Sequence, residues 1–67
     1  MAYLVKVTGV ATGLVFYAEK YDGSPQGAGG TRFRHDAHEF SYHQALGVAT
    51  QIQRAVGKKA VVEVEPT

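Results

Sequence analysis

Ser41-Tyr42-His43-Gln44 opens the one stretch of this chain with an α-helical hydrophobic period, and the segments around it have the period of β-strands. A lone helix among strands can bury its apolar stripe only against a sheet. The feature therefore restricts the chain to a two-layer α+β arrangement. Ser41 and Gln44 form an S-x-x-Q capping box, with Phe40 before the cap and Ala45 inside the helix placed as a hydrophobic staple. Tyr42, Ala45, Leu46, Ala49, Ile52 and Val56 fall on one stripe, while His43, Thr50, Gln51 and Arg54 lie outside it. Gly57 is placed as a left-handed C-cap, and Lys58 and Lys59 follow where the helix dipole favours cations.

The strands are read from alternation. Tyr3 to Thr8 sets Tyr3, Val5 and Val7 against Leu4, Lys6 and Thr8. Gly9 and Gly13 bracket a turn, and Leu14 to Tyr21 alternates again, which predicts a hairpin. Residues 22–30 are glycine-rich and are expected to form a flexible surface loop. Thr31 to His35 is a short third strand with Phe33 inward and Arg32 and Arg34 outward. Ala60 to Glu65 is the last strand, with Ala60, Val62 and Val64 on one side and Val61, Glu63 and Glu65 on the other. The order β-β-(β)-α-β predicts an α+β domain spanning 1–67: an antiparallel three- to four-stranded sheet with one amphipathic helix packed on one face. The last strand is expected beside the first.

A chain of 67 residues forms one domain with a thin stability margin, and the absence of cysteine removes disulfides and thiolate metal sites. Seven Lys and Arg against six Asp and Glu leave a net charge of +1, well short of the basic excess of a dedicated nucleic-acid binder. No apolar run is long enough to span a bilayer, and the first residues lack the pattern of a signal peptide. A cytoplasmic protein without membrane contact is expected.

Each chemical motif has a plain structural alternative. His35, His38 and His43, with Asp36 and Glu39, have the side-chain types of a divalent-metal site. Their spacing matches no familiar site, and a polar connector before a helix explains them equally well. Ser41 and His43 are near neighbours, yet Ser41 serves as the cap and no oxyanion-hole motif accompanies it. The glycine-rich loop lacks G-K-[ST] and no helix follows it directly, so it is not a phosphate-binding loop. No cofactor is expected.

One helix covers one sheet face. The other is predicted to carry Leu4, Lys6, Val15, Tyr17, Tyr21, Arg32, Arg34 and Val61. Tyrosine, arginine and aliphatic side chains are the types enriched at protein interfaces. The expected function is a non-enzymatic protein-binding module that uses this face, with a homodimer as the simplest assembly. A nucleic-acid reading draws on Lys6, Lys20, Arg32 and Arg34 with Tyr17 and Tyr21 as a stacking platform. A metal-binding reading rests on the three histidines.

Tyr3-Leu4-Val5-Lys6-Val7, Thr31-Arg32-Phe33, Phe40-Ser41-Tyr42, Ala45 and Lys59-Ala60-Val61-Val62-Glu63 together resemble small proteins encoded by bacteriophages and prophages. The resemblance spans most of the chain. It implies an accessory phage protein that binds and modulates a host or defence protein, and it implies no active site.

Overall fold

Alternation in the first strand and the capping box at Ser41 lead to a four-stranded antiparallel sheet carrying one helix. The computed structural model describes residues 2–19 and 30–67. Strand β1 is Tyr3–Gly9, β2 is Val15–Ala18, β3 is Gly30–Thr31 and β4 is Ala60–Pro66; helix α1 is Tyr42–Val56. The strand order is β3-β2-β1-β4, so the last strand lies beside the first, as expected. Pairing between β1 and β4 runs the length of both, from Tyr3 opposite Pro66 to Gly9 opposite Ala60. Lys20, Tyr21 and residues 22–29 of the glycine-rich segment lie outside the described residues. Gly30, at the end of that segment, begins β3.

The core forms where the helix-side residues of the sheet meet α1. Val5, Ala18, Phe40, Ala45 and Val48 are buried together, with Tyr3, Ala49, Ile52, Val62 and Val64 packed around them. Phe40 connects the two layers. Its amide donates to the Tyr3 carbonyl at 2.8 Å, and its carbonyl accepts from the Tyr3 amide at 2.9 Å. It occupies the edge of β1 that β2 leaves when it ends at Ala18, where the Ala18 carbonyl accepts from His38 N–H at 2.8 Å. The next residue, Ser41, is the helix cap. The Ser41 hydroxyl accepts from Gln44 N–H, and the Gln44 side-chain oxygen accepts from Ser41 N–H, so the capping box is formed.

Three details differ from the sequence expectation. The third strand ends at Thr31 rather than His35. The Thr31 hydroxyl accepts from Phe33 N–H at 3.2 Å, a side-chain turn that competes with the ladder, and Arg34–Asp36 then closes into a 3-10 turn. Phe33 consequently lies 61% exposed instead of entering the core. The second strand is also shorter than expected. Leu14 lies before it and is exposed, its amide donating to the Thr12 hydroxyl within the turn. Finally, the buried stripe of α1 is rotated. Val48 is 2% exposed, whereas Tyr42 and Leu46 are 49% and 40% exposed. The face centred on Ala45 brings small side chains against the sheet and so lets the backbone approach closely. Tyr42 packs instead on Tyr3, with ring centroids 5.0 Å apart.

Gly57 has φ of +60°, as a glycine cap requires, but its ψ of −126° leads out of the left-handed helical region into a 3-10 turn over Gly57–Lys59.

Phe40→Ala is expected to cost about 3–5 kcal/mol, most of the stability available to a domain of this size. Phe33→Ala should stay within about 0.5 kcal/mol. Urea denaturation of the two variants beside the parent chain checks both, and a large loss for Phe33→Ala would return that ring to the core.

Candidate functional site

Register fixes what the helix leaves uncovered. Residues directly opposite each other in antiparallel strands share a face. Lys6 lies between Tyr17 on β2 and Glu63 on β4, and Thr8 lies between Val15 and Val61. Leu4 is opposite Glu65, and Tyr17 is opposite Thr31. The face away from α1 therefore carries Leu4, Lys6, Thr8, Val15, Tyr17, Thr31, Val61, Glu63 and Glu65.

This face has two unlike halves. At the Leu4 end, Arg34 from the 3-10 turn donates through Nε to Glu65 at 3.3 Å and through Nη2 to the Pro66 carbonyl at 3.2 Å. An exposed ion pair of this kind adds little stability. Its effect here is positional, because it ties the 32–36 segment to the end of β4. Leu4 is only 3% exposed, so it is a packed residue and not a contact residue for a partner. At the other end, Val15, Thr8 and Val61 form an uncharged β-branched row across three strands, and Val61 is 48% exposed. Tyr17 borders this row.

Of the residues expected on the face, Leu4, Lys6, Val15, Tyr17 and Val61 share it by register. Arg34 joins it through Glu65. Arg32 is exposed at the bend after β3 and belongs to no strand, and Tyr21 lies outside the described residues. Glu63 and Glu65 also belong to the face, which the alternation of Ala60–Glu65 already indicated. They set carboxylates among the cations on which a nucleic-acid surface would depend.

The histidines go to separate surroundings. His35 Nε2 lies 3.6 Å from the Asp36 carboxylate at the surface, the His38 ring meets Phe40 at 4.6 Å, and the His43 ring meets Tyr42 at 6.1 Å. Among the described residues, no group of three or more His, Cys, Asp or Glu side chains is placed to hold a metal ion. The Ser41 hydroxyl is engaged as the helix cap.

A second surface was not foreseen: the free edge of β4. The Thr67 amide donates to the Ala2 carbonyl and the Val10 amide to the Lys59 carbonyl, so odd-numbered residues of β4 bond to β1. The N–H and C=O groups of Ala60, Val62, Val64 and Pro66 consequently point away from the sheet, apart from the N–H that proline lacks. Gln53 on α1 meets some of these groups. Its Nε2 donates to the Ala60 and Gly57 carbonyls, each at 2.9 Å, and its Oε1 accepts from Val62 N–H at 3.0 Å. The side-chain amide thus stands where the peptide group of a further strand would stand. Gln53 sits beside the buried stripe on the β4 side, and that position was its only sequence signal. With Ala49, Thr50, Arg54 and Val62 it lines a shallow open groove between α1 and the edge.

Comparison with protein-family models, with curated proteins and with solved structures finds no match for this chain. Among the described residues, no helix is long and apolar enough to cross a membrane.

Gln53→Ala should destabilise the domain by about 1–3 kcal/mol, because it leaves the part-buried Val62 N–H and Ala60 C=O without their protein partner. Chemical denaturation measures the loss, and hydrogen exchange should quicken at Val62. Unchanged exchange there would show that the Gln53 contact carries no weight.

Proposed function

We propose that this chain is a non-enzymatic protein-binding module whose open sheet face pairs with a second copy of itself. The observation that carries the reading is the uncharged row Val15–Thr8–Val61, bordered by Tyr17 and left uncovered beside a half tied down by Arg34. A twofold interface sets a patch against itself, so the patch must tolerate its own copy. A β-branched row without charge meets that condition. The neighbouring half carries Lys6 beside Glu63, which gives the rim both signs of charge. Burial of this row also adds apolar area that a domain of this length lacks alone. The alternation of Lys6 and Arg34 with Glu63 and Glu65 favours a protein partner over a phosphate backbone, which needs an uninterrupted cationic track.

Light scattering after size-exclusion chromatography, at two protein concentrations, should give a mass near twice the 7.2 kDa of the chain. Val61→Lys places two like charges at the twofold contact and should weaken the dimer by about tenfold or more, with an unchanged circular dichroism spectrum. A parent chain that stays monomeric at both concentrations overturns the reading, as does a Val61→Lys dimer of undiminished strength.

A further inference from the structure

We infer that the groove between α1 and the free edge of β4 accepts an extended peptide as a fifth, antiparallel strand, with apolar side chains toward the helix and basic ones beside Glu63. This surface is separate from the face assigned to self-association.

Strand addition needs unpaired main-chain groups on an accessible edge. Ala60 C=O and Val62 N–H are held by Gln53, Pro66 has no N–H, and Pro66 C=O is held by Arg34. Ala60 N–H lies at the end of the 3-10 turn over Gly57–Lys59; along the strand beyond it, Val62 C=O and both groups of Val64 remain, and among the described residues no hydrogen bond reaches them. An incoming residue opposite Val64 can exchange two hydrogen bonds with it, and a third group can donate to Val62 C=O. Gln53 and Arg34 close the two ends of the edge, so the window is short and its position is defined.

Side-chain chemistry sets the pattern of the occupant. A residue opposite Val64 shares its helix-side face, next to a side chain packed on the core, and lies beside the groove whose wall includes Ala49 and Val62. That position calls for an apolar side chain. Arg54 lines the same groove, takes part in no ion pair among the described residues, and repels a cation there. A residue opposite Glu63 points to the other face. There it meets an exposed carboxylate whose cross-strand neighbour is the single cation Lys6. Opposite charges across strands are favourable and like charges are not. The same rule disfavours a second copy of β4 as the occupant. Either register that centres on the free Val64 groups sets Glu63 against Glu63 or Glu65 of the copy.

The test is a nuclear magnetic resonance titration of the isotope-labelled chain with two blocked synthetic pentapeptides, valine alternating with lysine and valine alternating with glutamate, each with valine first. The valine–lysine peptide should shift the signals of Val62, Glu63 and Val64 and slow hydrogen exchange at the Val64 amide. The valine–glutamate peptide should bind about fivefold more weakly or not at all. Glu63→Lys should reverse the preference. Val64→Pro removes an N–H that points away from β1, so it should abolish binding while the sheet persists. The inference is overturned if neither peptide slows Val64 exchange, if both bind equally, or if the shifts collect at Val15, Tyr17 and Val61 instead. The dimer is read independently, from the mass of the Val61→Lys variant.

Discussion

The pairing of Phe40 with Tyr3 is the contact on which the two layers depend. Its backbone completes the edge of β1 beyond the end of β2, its ring is 1% exposed in the core, and the helix cap is the next residue. A chain with one helix has few ways to fix that helix in both position and direction. Here the backbone bonds set the position, and the capping box sets the direction by turning the chain immediately after the bridge. Burying a phenylalanine ring contributes roughly 2–3 kcal/mol in its own right. The geometric role matters more, because Ala45 and Val48 reach the sheet only when the helix starts at this point.

How much of this was legible depended on the range of the interactions involved. Ser41 and Gln44 act within one turn of helix, and the capping box formed where they predicted it. Alternation identified β1 and β4, which pair with each other over seven positions. Arg32-Phe33-Arg34 alternates in the same way, yet there the Thr31 hydroxyl offers the backbone a local turn, and only two paired positions hold β3 to β2. The rotation of the helix was hidden for a related reason. Leu46 is as apolar as Val48, and the choice between them depends on how closely Ala45 and Ala49 let the helix approach. The free edge could not be read before the strand order was known.

The polar side chains of this small sheet are arranged around its openings. Gln53 and Pro66 restrict the β4 edge, Arg34 holds the turn against the end of the same strand, and Glu63 and Glu65 keep two such edges from pairing with each other. Among the described residues, the openings of the β1–β4 half include an uncharged row on one face and main-chain groups of Val62 and Val64 on one edge. These openings differ in chemistry, a β-branched row without charge in one case and directional main-chain hydrogen-bonding groups in the other.

The long pairing of β1 with β4 also has a kinetic meaning. β1 meets β2 across a turn of a few residues, and α1 is joined to β4 by Gln53 only seven to nine positions away. Joining these two local units requires the contact of Tyr3 with Pro66, almost the full length of the described chain apart. The entropy of closing a loop grows only with the logarithm of its length, but it must be met before the seven paired positions between β1 and β4 return anything. The late and cooperative step in forming this domain is therefore expected to be the meeting of β1 with β4.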